Sequence, residues 1–233
     1  MNLTILAGPT FDLKPETSHL LAMTSPVRTV FLVDDDASVR RGLTRLIKSA
    51  GLTVQAYASA RDFLDYWHVN NQGPACLVLD VRMPGLNGLE LQHELQAANA
   101  LLPIIFITGH GDIPMSVKAM KDGAVDFLPK PVKDKVLLEA IERALARADH
   151  ERVQRAELED IQRRVESLTS REREVMDLVV RGLLNKQVAF ELGTVEKTVK
   201  VHRARVMEKM EVRSLAELVR IAERVGIPQG KAQ

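Results

Sequence analysis

The 233-residue sequence has only one cysteine, Cys76, so no disulfide can form within the chain. That thiol sits in the apolar run Ala75–Leu79, which predicts a buried and inert group. Long apolar runs are also missing. Leu101–Ile107 falls well short of the roughly 20 residues that a bilayer span requires, and Pro103 interrupts it. The first 27 residues hold neither a basic cluster nor a continuous apolar stretch, and they carry Pro9, Pro15 and Pro26. A cleaved export signal does not have that pattern. The expectation is a cytoplasmic protein with no membrane association. Internal repeats and low-complexity tracts are absent.

What remains is ordinary globular material, 45% hydrophobic and 27% charged, with a formal net charge of only +1. The charge is unevenly placed. Residues 28–148 hold 14 Lys+Arg against 14 Asp+Glu, whereas residues 167–233 hold 13 against 9. An excess of cations at one end is weak support for nucleic acid, because most charge clusters are solvated faces.

Between Thr29 and Pro131 short apolar runs alternate with segments of helical period. The runs are Val30–Val33, Val54–Tyr57, Cys76–Leu79, Ile104–Ile107 and Val125–Leu128, and the pattern predicts five parallel strands with intervening helices. The helices are expected at Ser38–Ala50, Ala60–Val69, Leu86–Ala98, Ile113–Asp122 and Lys135–Ala148, with Gly51, Gly73 and Gly123 ending three of them. This is a doubly wound α/β domain of the flavodoxin-like kind. Residues 149–166 have no Gly or Pro and read as a helical extension. Their apolar stripe (Leu158, Ile161, Val165, Leu168) is out of phase with the preceding one (Leu138, Ile141, Leu145, Ala148), which argues against a continuous coiled coil. Beyond Leu168 the pattern is wholly helical, with breaks near Gly182 and Gly193.

In an open parallel sheet, functional groups gather beyond the carboxyl ends of the strands. The residues expected there are Asp34, Asp35 and Asp36 after strand 1, Asp80 after strand 3, Thr108 after strand 4 and Lys130 after strand 5. Any one of these acids could be a helix cap. Together they would crowd like charges into one crevice, which is unfavourable unless a cation neutralises them. A hard cation such as Mg²⁺ suits an all-oxygen site.

Four ordered runs, VFLVDDD, CLVLDVRMPGLNGLEL, IIFITGHGD and GAVDFLPKP, resemble the receiver domain of two-component response regulators over residues 28–148. The resemblance implies that Asp80 accepts a phosphoryl group and that Asp34, Asp35, Asp80 and the Arg82 backbone carbonyl hold Mg²⁺. It also implies that Thr108 and Lys130 contact the phosphoryl oxygens, that Thr108 and Phe127 form a switch, and that the Lys130–Pro131 bond is cis. A haloacid-dehalogenase-like phosphatase, with Asp34, Asp35 and Asp36 supplying its D-x-D pattern, is an alternative, but it requires an acidic strand after Lys130, where the sequence runs into a helix. A receiver that docks without phosphorylation is another; the intact set Asp34, Asp35, Asp80, Thr108 and Lys130 speaks against it.

Residues 168–222 resemble the helix-turn-helix domain of the LuxR, NarL and FixJ families, and the pairing with a receiver is most similar to the FixJ branch. Four helices are expected, at about Ser170–Arg181, Asn185–Leu192, Val195–Met210 and Ser214–Val225. In the third, Val199, Val206 and Met210 face inward, leaving Lys197, Lys200, Val201 and Ala204 opposite, flanked by Arg203 and Arg205. Such a face can enter a major groove, although its spacing fits an ordinary solvated helix equally well. Asn185, Lys186 and Thr198 are expected to meet phosphate. Two departures from the family stand out: Val195 replaces the usual serine before the recognition helix, leaving its capping role unfilled unless Thr194 takes it, and Glu211 occupies a position where glycine is common.

The reading is therefore an extension at 1–27, either disordered or upstream of the true start; a receiver at 28–148; a helical linker at 149–166; a DNA-binding domain at 167–227; and a tail at 228–233. The implied partners are a sensor histidine kinase, promoter DNA, RNA polymerase and, after phosphorylation, a second copy of the chain. Enzymatic activity beyond self-phosphorylation and slow self-dephosphorylation is not expected.

Overall fold

The computed structural model describes residues 27–70, 73–109 and 113–227, so the expected extension, apart from Val27, and the tail lie outside the described residues. In chain order the elements are β1 (Thr29–Val33), α1 (Ala37–Ser49), β2 (Thr53–Tyr57), α2 (Ala60–Asn70), β3 (Ala75–Asp80), α3 (Gly88–Ala97), β4 (Ile104–Thr108), α4 (Ile113–Lys121) and β5 (Asp126–Pro129). A long α5 (Asp134–Glu166) follows, then α6 (Ser170–Val180), α7 (Asn185–Glu191), α8 (Glu196–Lys209) and α9 (Leu215–Arg224).

The five strands are parallel in the order β2-β1-β3-β4-β5. Because side chains alternate along a strand, each central strand feeds two cores. Phe31, Val33, Leu77, Leu79 and Phe106 point to one face, where Phe63, Trp67 and Leu91 cover them. Val30, Leu32, Cys76, Val78, Ile105 and Ile107 point to the other, under Ile47 of α1 and Leu137 and Ile141 of α5. Burial there pushes the Cys76 thiol pKa up to about 12, in keeping with an inert group.

Most elements fall within a residue or two of their expected bounds, and three differences have physical causes. Helix α3 begins at Gly88, not Leu86, because Asn87 caps it: its side chain accepts from the N–H groups of Leu89 and Glu90 while Glu90 returns a bond to the Asn87 N–H. Gly73 does not end a helix in a left-handed conformation as Gly51 and Gly123 do. A Cβ on it would lie 3.0 Å from the Val27 carbonyl oxygen, so the absent side chain admits a close backbone approach at the entry to β1. On α5, Leu137 is the fully buried residue and Leu138 only half-buried, since the wide stripe 137, 140, 141, 144, 145, 148 turns inward.

Helix α5 is one continuous 33-residue element. Its first half packs on the sheet; Ile161, near its end, joins the core of α6–α9 with Leu168, Val175, Met176, Val199, Val206 and Met210. Residues 152–157, between the two, are exposed. The ion pairs Arg147–Glu151 at 2.7 Å and Arg155–Glu159 at 3.1 Å support this bare stretch at helical spacing. In the C-terminal domain Glu172 closes a capping box with Thr169 and accepts from Lys209 Nζ at 2.7 Å. The Lys209 ammonium, with the Thr169 N–H, holds the Glu172 carboxyl down at about 2.

Candidate functional site

The strand order reverses direction about β1 and β3, so the loops leaving their carboxyl ends diverge and open a crevice between them. The register places Val33 beside Leu79 and Asp80 beside Ile107, which aligns Asp34, Asp80 and Thr108 along one edge. Asp34 and Asp80 are buried, Asp35 is exposed, and carboxylate oxygens of the three lie within 4.8 Å of one another. Asp36 stands apart and caps α1 by accepting from the N–H groups of Ser38 and Val39.

Lys130 enters from β5. Its N–H donates to the Thr108 carbonyl at 2.8 Å, and its Nζ reaches Asp34 Oδ2 at 2.6 Å and Asp80 Oδ2 at 3.0 Å. The Lys130–Pro131 bond is cis, as the resemblance implied. Burial works against the charged ammonium, but the two carboxylates outweigh it and leave the Lys130 pKa raised. Burial lifts the Asp34 pKa above the usual carboxylate range, against the bonds from Lys130 and the Asp36 N–H. Thr108 is 2% exposed, and Phe127 is half-buried, with its ring 6.0 Å from that of Phe106. Arg82 follows Asp80 in the β3–α3 loop with an exposed side chain.

Carboxylates that crowd like charge while a single lysine spans two of them form a donor set suited to a hard divalent cation; Asp34, Asp35 and Asp80 together fit Mg²⁺. Two supporting residues were not singled out from the sequence. Arg40 Nη1 donates to the Asp34 carbonyl at 2.6 Å, fixing the end of β1. Gly88 packs so tightly that a Cβ would lie 2.4 Å from the Asp80 carbonyl oxygen. The run MPGLNGLEL contains this glycine, but no spacing rule reveals that contact.

The second site lies on α8. Val199, Val206 and Met210 are buried as expected, and Lys197, Lys200, Val201, Ala204 and Arg205 are exposed. Thr198 and Arg203 are half-buried. Arg203 Nη1 donates to Asn185 Oδ1 at 3.1 Å, tying α8 to the start of α7, where Lys186 is exposed. Lys200 pairs with Glu196 at 3.1 Å. Val195 is the N-cap of α8 and supplies no side-chain acceptor, so the role of the family's serine is unfilled.

No helix among the described residues is long and apolar enough to cross a membrane. Residues 30–142 match the response regulator receiver domain family, and residues 166–222 match the bacterial regulatory proteins of the luxR family. Nodulation protein W of Bradyrhizobium diazoefficiens is 50% identical over 217 residues, 93% of this chain and 94% of that protein. The transcriptional regulatory protein FixJ of the same organism is 46% identical, covering 85% and 96%. Among solved structures, the response regulator StyR superposes with a TM-score of 0.76 at 51% identity, covering 84% of this chain and 98% of that one. The segment after Lys130 is the helix α5, so the acidic strand of a dehalogenase-like phosphatase does not exist here. The chain belongs to the two-component response regulators that join a receiver domain to a LuxR-type DNA-binding domain.

Proposed function

We propose that Asp80 accepts a phosphoryl group from a sensor histidine kinase in the cytoplasm and that this controls dimerisation and promoter binding. The observation that carries the reading is the convergence of Asp34, Asp80 and Lys130 at the strand ends beside Thr108. A carboxylate oxygen of Asp80 attacks phosphorus as the bond to the donor's histidine nitrogen breaks; Lys130 and the Thr108 hydroxyl then meet the phosphoryl oxygens. Asp34, Asp35, Asp80 and the Arg82 carbonyl would hold Mg²⁺. When bound, that ion neutralises part of the charge on the transferring group and lets neighbouring carboxylates stay ionised. A small-molecule phosphodonor serves in place of the kinase, and water slowly hydrolyses the product. An apolar groove of Val39, Leu43, Leu46, Pro131 and Val132 opens beside Lys130 and offers the kinase a seat within reach of Asp80.

The receiver spans 28–148, the linker 149–166 and the DNA-binding domain 167–227. Thr108 and Phe127 carry the signal: the hydroxyl swings toward the phosphoryl group, vacating space into which Phe127, packed against Phe106, turns. The altered face of α4, β5 and the first half of α5 pairs with its copy, so that two helix-turn-helix units engage related half-sites and present a surface to RNA polymerase. Sedimentation with and without beryllofluoride tests this. A shift from monomer to dimer is expected; a mass that stays the same in both conditions overturns dimerisation in favour of release of the DNA-binding domain.

On α8, Lys197, Lys200, Val201, Arg203, Ala204 and Arg205 meet DNA, with Thr198, Asn185 and Lys186 at phosphates. Lys200 must exchange its partner Glu196 for DNA. Lys200→Ala is expected to weaken binding by about 1–3 kcal/mol if the side chain reads a base, or to make the salt slope shallower by about one if it neutralises a phosphate. Titrations at several salt concentrations measure both, and an unchanged affinity and slope would remove Lys200 from the interface.

A further inference from the structure

We infer that Glu211 and Arg164 form a latch that fixes the orientation of the DNA-reading helix α8 relative to the linker helix α5, making Glu211 a positioning residue for DNA binding. Many helices here end in the same turn: the residue after the C-cap takes a left-handed conformation, and the next N–H bonds back five residues. Gly51, Gly123, Gly182, Gly193 and Gly226 fill that left-handed position after α1, α4, α6, α7 and α9, and Asn99 fills it after α3. These are the residue types that tolerate positive φ. After α8 the position belongs to Glu211, at φ 52, with Glu211 N–H donating to Glu208 and Val212 N–H to Met207, each at 3.0 Å. A β-carbon there strains the backbone, and nothing in the fold of the turn calls for one.

What the glutamate adds is a contact. Its Oε2 lies 3.0 Å from Arg164 Nη2 in the last turn of α5, and the same guanidinium donates from Nη1 to the Met210 carbonyl at 3.2 Å and pairs with Asp160. Beside it, Lys209 Nζ donates to the Ser167 carbonyl at 3.0 Å, where α5 ends, and to Glu172. The C-terminus of α8 is thus gripped at Lys209, Met210 and Glu211 by the end of the helix that leads to the receiver. An ion pair whose glutamate is open to solvent adds little to stability, and here it is set against backbone strain. Its effect is directional: any rotation of α5 is passed to α8 as to one body.

Spin labels on Val153→Cys and Glu208→Cys measure this directly, since the buried Cys76 does not compete for the label. The full-length protein is expected to give one narrow distance distribution, which broadens in both Glu211→Gly and Glu211→Gln. The melting temperature of Glu211→Gly is expected to hold or rise by a few degrees as strain is relieved. An unchanged distribution in both variants overturns the latch, and a lower melting temperature in Glu211→Gly would make the residue part of the fold and not a positioning group. The consequence for signalling rests on the proposed phosphorylation control. The ratio of affinities with and without beryllofluoride, for a duplex selected from a random pool by the wild-type protein, should fall at least threefold in Glu211→Gly. A wild type that ignores beryllofluoride refutes that control while leaving the distance measurement to judge the latch.

Discussion

Asp80→Asn is expected to abolish labelling by acetyl phosphate or by the cognate kinase, with the fold retained. The amide keeps the shape of the carboxylate but lacks the charge and nucleophilicity that attack on phosphorus requires. The neighbouring acids cannot stand in for it. The Asp34 side chain is fully buried and bonded to Lys130, and its Oδ1 accepts from the Asp36 N–H, so both oxygens are engaged. Asp35 is exposed on the loop that leaves β1. Replacing one of several crowded carboxylates also relieves like-charge repulsion, which offsets the loss of the Asp80–Lys130 contact. Stability should therefore change by no more than about 1 kcal/mol. Phosphopeptide mapping after exposure to acetyl phosphate, alongside a urea melt, gives both numbers. Undiminished labelling of the variant would move the acceptor elsewhere.

Gly88→Ala is the second large effect, and it acts through the backbone. The added methyl would meet the Asp80 carbonyl oxygen at 2.4 Å, the Val81 Cα at 3.0 Å and the Asp80 carbonyl carbon at 3.2 Å. All three are main-chain atoms of buried residues at and just beyond the end of β3, so no flexible side chain can swing aside. Either α3 or the end of β3 has to move. The Gly88 N–H bond to the Val81 carbonyl, at 3.0 Å, ties the two together and spreads the displacement to Asp80. A destabilisation of about 1–3 kcal/mol is expected, together with a fall in the labelling rate of at least tenfold, since a misplaced nucleophile loses its alignment. Denaturant melts and labelling time courses on the same preparation separate the two. A variant that is labelled at the wild-type rate would show that the crevice tolerates the shift.

The contrast between these residues shows what the sequence makes legible. Asp34, Asp80, Thr108 and Lys130 could be placed because each follows a run of apolar residues, and a parallel sheet delivers such positions to one edge. The fully buried β3, with its unbroken ACLVLD, is the clearest case. The inward face of α8 was readable for a similar reason, as Val199, Val206 and Met210 recur at helical spacing. Gly88 was not readable, because a van der Waals contact with another element leaves no periodic trace. The apolar Leu86 suggests an earlier start for α3 than the polar pair Asn87 and Glu90, which caps it, allows. Gly73 follows a helical pattern and so resembles a helix end, but its smallness serves an approach to Val27. Arg164 and Glu211 lie on elements brought together only by tertiary packing, and the single local hint was a glutamate in a place that favours glycine.

If chemistry at Asp80 governs what happens at α8, the response of DNA affinity to a phosphoryl mimic must depend on that one carboxylate. The most direct measurement is the affinity of the full-length protein for a selected duplex, with and without beryllofluoride, in the wild type and in Asp80→Asn. Two linked binding units gain effective concentration, so the wild type should bind at least about tenfold more tightly with the mimic present, while Asp80→Asn should bind equally in both conditions. Equal affinities in the wild type, or a response that survives in Asp80→Asn, would show that Asp80 does not control DNA binding.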